Sequence, residues 1–265
     1  MLVALLVATL AGLATSIGGL LATHHRVRER KWLAVSLAFA AGAMLMVSFA
    51  EMLPVGVESL AVTMDDQTAS VWAYIAFFGG VALVLLIDRL IPSSINPAQI
   101  EGREDELTKS EKANNRRLIR GGLLVALVLA LHNFPEGMST FIATYQDTGL
   151  GLTLAFAIAI HNIPEGIAVA APVYAATKSR NKAFWWATIS GLTEPLGALV
   201  GMLLISTVIP DSLFGILYGL VAGMMVFVAI DELLPAARRY MTHNHQVVYG
   251  MIGGMVIVSL SLVLL

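Results

Sequence analysis

The chain has 265 residues, of which 57% are apolar and 13% charged, and its mean hydropathy of +0.80 excludes an ordinary soluble domain. The formal net charge of −2 says little, because the distribution of the charges carries more information than their sum. The absence of cysteine excludes disulfides, thiolate metal ligands and iron–sulfur chemistry.

Eight apolar segments of spanning length follow one another: Met1–Ala22, Leu33–Leu53, Val71–Ile91, Ile119–Tyr145, Leu150–Tyr174, Phe184–Val208, Leu213–Leu234 and Val247–Leu265. The first has no basic residue ahead of it and several after it, so it reads as a retained spanning helix rather than a cleaved signal. All 16 Lys and Arg fall between segments one and two, three and four, five and six, and seven and eight, or, for Arg89 and Arg120, at the segment ends that face the second of these connections. The alternate connections hold only acids, such as Glu58, Asp65, Asp66, Asp147 and Asp211. Positive charge stays inside, so both termini are expected on the outer side. Residues 92–117 form a polar cytoplasmic linker within one domain, 1–265. Trp32, Trp72, Trp185 and Trp186 sit near segment ends as aromatic anchors, and Asp88–Arg89 reads as a local interfacial pair. His24, His25, His243 and His245 read as solvated loop residues, and the scattered Met residues as packing.

Segments four and five each carry one hexapeptide, His132-Asn133-Phe134-Pro135-Glu136-Gly137 and His161-Asn162-Ile163-Pro164-Glu165-Gly166, 29 positions apart. His and Glu four residues apart share a helix face, with Asn adjacent. Pro135 and Pro164 release the carbonyls of Leu131 and Ile160 and bend their helices. One such motif reads most simply as a proline kink with a satisfied histidine. Two copies on consecutive spanning segments point instead to a shared cation, since two buried His and two buried Glu need a common partner. Imidazole nitrogen with carboxylate and amide oxygens suits a divalent transition metal.

Segment six adds Glu194 in Ser190-Gly191-Leu192-Thr193-Glu194-Pro195-Leu196-Gly197. The candidate ligands are then His132, Asn133, Glu136, His161, Asn162, Glu165 and Glu194. Seven groups exceed the four that zinc usually takes, which favours two ions or one that moves between overlapping sets. Three carboxylates outweigh one divalent ion, so occupancy is expected to be linked to pH.

A second repeat relates Ala41-Gly42 through Glu51-Met52-Leu53-Pro54 in segment two to Ala222-Gly223 through Asp231-Glu232-Leu233-Leu234-Pro235 in segment seven. Segments one and six share a weaker likeness, Gly12-Leu13 with Gly18 against Gly191-Leu192 with Gly197. Partners five segments apart cross the membrane in opposite directions. The expected fold class is therefore an all-α polytopic membrane protein. Eight transmembrane helices form a 3+2+3 inverted repeat with both termini outside, the architecture of alternating-access transporters. Glu51 and Glu232 would stand near opposite mouths of a pathway, either guiding cations or anchoring their helices.

These residues resemble the metal-binding motifs of the ZIP family of divalent-metal transporters, in its bacterial zinc-uptake branch, over essentially the whole chain. The resemblance implies import of zinc, and often iron(II), manganese, cobalt or cadmium, across the inner membrane into the cytoplasm through a binuclear site. In that site His132, Glu136, His161 and Glu165 would form one half. Asn133, Asn162 and Glu194 with the bridging glutamates would form the other. It also implies elevator-like movement of segments one, four, five and six against two, three, seven and eight, commonly in a homodimer. The linker holds no histidine, a departure from relatives whose loop is His-rich. The alternative is an intramembrane zinc hydrolase, in which the metal activates water. Against it, neither motif reads His-Glu-x-x-His. No organic cofactor and no nucleic-acid partner are expected.

Overall fold

The computed structural model describes residues 1–90, 130, 133–206 and 211–264. Among them every regular element is helical, and seven helices are long and apolar enough to cross a membrane. In chain order, α1 is Leu2–Leu21, and α2 joins Arg30–Val47 to Leu53–Ala61 through a π-helical turn, Ser48–Met52. Next come α3, Asp66–Leu90, and α4, whose continuous described part is 133–146. α5 is the 30-residue helix Thr148–Thr177, and α6 runs Arg180–Gly191 and Thr193–Ser206 with a break at Leu192. α7 joins Asp211–Val228 to Leu234–Tyr240 through a second π-turn, Ala229–Leu233, and α8 is Gln246–Leu264. The linker 92–117 and the first half of expected segment four lie outside the described residues.

The helices are built for lipid. In α1 the exposed stripe is Leu2, Leu6 and Leu10, at 71%, 53% and 67% exposure, while Ala4, Ala8, Ala11 and Gly18 are buried. Large residues outside and small ones inside reverse the order of a soluble protein, and let backbones approach closely where lipid already satisfies the apolar surface. Intramembrane hydroxyls turn back onto their own helix: Ser48 donates to the Met44 carbonyl at 2.7 Å, Ser139 to Glu136 at 2.8 Å and Thr144 to Thr140 at 2.7 Å.

Two groups of helices result. α1 packs along α5 and against both halves of α6, while α2 packs on α8 and α7 on α3 and α2. The seam between the groups is chiefly α2 against α5, with α8 beside it. α4 joins the first group through glycine: a methyl on Gly137 would collide with the Glu194 backbone, and one on Gly197 with the Phe134 carbonyl. Only Asp147 separates α4 from α5. Its carboxylate caps α5 by accepting the Leu150 amide at 3.0 Å.

Pro164 and Pro172 both lie inside a continuous α5. Sequence and structure differ in two places. α2 continues past Pro54 to Ala61, eight residues beyond its expected end, because the π-turn before Pro54 takes up the proline's steric demand. α6 is interrupted just before Glu194, at Leu192.

Candidate metal centre

The motif residues meet where α4, α5 and α6 come closest. Asn133, Glu136, His161, Asn162, Glu165 and Glu194 are all fully buried, at 0% exposure. His161 Nε2 lies 3.4 Å from Glu136 Oε2, which joins the α5 motif to the α4 motif. Asn162 Nδ2 donates to the Ala11 carbonyl at 3.0 Å and also to Glu194 Oε1, tying α5 to α1 and α6. Two acceptors fix the amide's orientation, so its oxygen must face the other way.

This concentration of polar groups is incompletely satisfied. Glu136 Oε1, Asn162 Oδ1, Glu194 Oε2 and both amide atoms of Asn133 have no hydrogen-bond partner among the described residues. Buried oxygens left without donors are costly, and a cluster of them in a membrane core suits a cation. Among the described residues, no three His or carboxylate side chains converge as a closed metal-binding group. They stand instead as two pairs, Glu136 with His161 and Asn162 with Glu194. His132 lies outside the described residues.

Other expected site residues fall at the periphery. Glu51 is half-buried on the first π-turn and Glu232 half-buried on the second. Glu51 lines an open cleft of about 610 Å³ with Pro54, Glu58, Ser59, Gln146 and Leu150, between α2 and the α4–α5 hairpin. Glu58 and Gln146 had been assigned no site role by the sequence, although Glu51 and Glu58, seven apart, share a face once α2 is known to continue through Pro54. His24, His25, His243 and His245 are exposed, in keeping with solvated loops.

The profile of the ZIP zinc transporter family matches residues 1–116 and 94–262. The chain belongs to this family. It is 47% identical to the zinc transporter ZupT of Corynebacterium aurimucosum over 256 residues, 96% of this chain and 94% of that protein. It is 46% identical to the zinc transporter ZupT of Streptococcus mutans, covering 98% of this chain and 97% of that one. The zinc transporter ZupT of Oceanobacillus iheyensis is 45% identical, covering 100% of this chain and 98% of that one. Family membership makes the chain a transporter rather than an enzyme, and the hydrolase alternative is not favoured.

Proposed function

We propose that the chain imports zinc into the cytoplasm, as a multi-pass protein of the bacterial inner membrane working by alternating access. In this reading the chain is one domain, 1–265. Residues ahead of 133 complete α4 as the eighth span, and the helices form a 3+2+3 inverted repeat. The connections rich in Lys and Arg face the cytoplasm and both termini face outward. The two π-turns support the repeat: each lies just ahead of a proline and carries an acid, Glu51 in one and Asp231–Glu232 in the other.

The transported ion is held by His132, Asn133, Glu136, His161, Asn162, Glu165 and Glu194, as two adjacent positions that share carboxylates. The observation that supports this best is the set of fully buried, unpartnered oxygens of Glu136, Asn162 and Glu194 where three helices meet. A mobile cation satisfies such oxygens. A permanent hydrogen-bond network would leave none over. Nitrogen and oxygen donors accept iron(II), manganese, cobalt and cadmium as well as zinc, so these belong to the proposed range. The homodimer that the resemblance implies is part of the same reading.

The test is uptake by the purified chain in liposomes loaded with a metal-sensitive dye. Wild type is expected to fill them with zinc, and His161→Ala and Glu165→Ala to fall to the protein-free leak. Full uptake in both variants would remove this site from the pathway. The same assay with the other four metals ranks them.

A further inference from the structure

The two ends of the molecule differ. At the end carrying the acidic connections, α2 stands away from the α4–α5 hairpin across the open cleft of about 610 Å³ lined by Glu51, Ser59, Gln146 and Leu150. At the basic end the described parts of the two helix groups are packed against each other. A second apolar cluster, separate from the main core, gathers Ala22, Leu33, Ile167, Ala170, Ala171 and Ala187, with Val27, Tyr174 and Tyr240 against it. Ile167, Ala170, Ala171 and Tyr174 form one stripe of α5, beginning just beyond Glu165 on the way to the basic end. Leu33 and Tyr240 come from α2 and α7, in the opposite group. The seal therefore lies between the candidate metal centre and the basic end, and its two faces belong to different helix groups.

One loop fastens it. Arg30 donates to the Arg239 carbonyl and sits over the Tyr240 ring at 6.0 Å, and Gln246 donates to the Lys31 carbonyl at 2.6 Å. These bonds fix the start of α2 to α7 and α8, within one group. Arg28, two residues earlier, reaches the other way, its guanidinium 4.2 Å from the centre of the Tyr174 ring on α5. At that distance a guanidinium is held by the ring's quadrupole. Because α5 carries His161, Asn162 and Glu165, moving α5 away from the start of α2 at the basic end requires this contact to part.

We infer that Arg28 over Tyr174 is a latch that holds the basic end shut while the acidic end is open, so that breaking it exchanges which end of the pathway is accessible. The inference rests on the proposed sidedness for the words inside and outside, but not on metal transport.

The chain has no cysteine, so single introduced thiols report cleanly. Ser59→Cys marks the open cleft and Ala171→Cys the seal, each labelled with a membrane-impermeant maleimide applied to one face of sealed vesicles at a time. In the wild-type background Ser59→Cys is expected to label from outside and Ala171→Cys to be protected from inside. Arg28→Gln or Tyr174→Leu should raise labelling of Ala171→Cys by about two- to tenfold and lower that of Ser59→Cys in parallel. Tyr174→Phe keeps the ring face and should behave as wild type. Unchanged labelling at both positions overturns the latch. So does a rise at both, which signals a loosened fold, or a Tyr174→Phe variant indistinguishable from Tyr174→Leu. If instead the chain is inserted the other way round, the labelled faces swap while the reciprocal response survives. A failure of the sidedness is thus told apart from a failure of the latch.

Discussion

Asn162 shows how much one side chain does here. Its two amide hydrogens are taken by the Ala11 carbonyl and by Glu194, and its oxygen is left over inside the protein. The hexapeptide marked this residue as a candidate, but not its partnership with Ala11, 151 positions away. Long-range partners of this kind depend on how helices cross, which a motif does not encode. Glu194 carries the corresponding prediction. A buried carboxylate oxygen without a donor strains the metal-free protein, so Glu194→Gln should raise its melting temperature. The same change should shrink the rise caused by zinc, which in the wild type is worth about 2.7 kcal/mol at a hundredfold excess over Kd. A variant with wild-type values in both conditions would argue against a role for this carboxylate. At the end carrying the acidic connections, Asp65 accepts hydrogen bonds from the Thr68 hydroxyl and, at 3.1 Å, from the Thr68 amide, which hold its carboxyl below the usual aspartate range. A depressed folded-state value means that the stabilisation is complete above about 3.9, the unfolded value, and is lost as pH falls through the folded one. The melting-temperature difference between wild type and Asp65→Asn should therefore be constant near neutral pH and shrink as the pH is lowered below about 3.9.

At the scale of the helix, apolar runs located the seven spans found among the described residues, and the structure mainly shifts their ends. The two π-turns were not legible, although Pro54 and Pro235 were in plain view. A proline ring crowds the carbonyl one turn back. Widening the ladder by one residue relieves it, as where the Leu53 and Leu234 amides bond back to Ser48 and Ala229. Pro164 meets the same demand within an unbroken helix, so the proline alone does not decide. Glycine has equally local meaning. Gly137 lies against the Glu194 backbone, and Gly79 on α3 has nothing within 4 Å of where a methyl would sit. Gly137→Ala should cost roughly 1–3 kcal/mol by overpacking. Gly79→Ala should be neutral or stabilising, by up to about 1 kcal/mol from helix propensity. Denaturation of the two variants in the same detergent compares them directly. Equal effects would mean that α4 and α6 do not meet as described.

For the molecule as a whole, composition alone separated a membrane protein from a soluble one, and the inside-out arrangement of α1 bears that out residue by residue. The convergence of α5 and α6 at Asn162 and Glu194 was legible as chemistry, through Glu–Pro company and mid-span position. The asymmetry between the two ends was not. The seal at Leu33, Ile167 and Tyr240 is made of unremarkable apolar residues, and only their meeting across the seam gives them a part. The glycine contacts that join α1, α4, α5 and α6 have one more consequence. Gly18 meets Ile163, Gly166 meets Thr15, Gly12 meets Gly191, and Gly137 meets Glu194, main chain against main chain with no flexible side chain between. On the proposed reading, a cradle mounted on so stiff a frame cannot shrink or swell around its guest. Discrimination among cations would then turn on ionic radius at a fixed aperture, and a single added methyl in that frame would retune which ion is accepted without touching any donor atom.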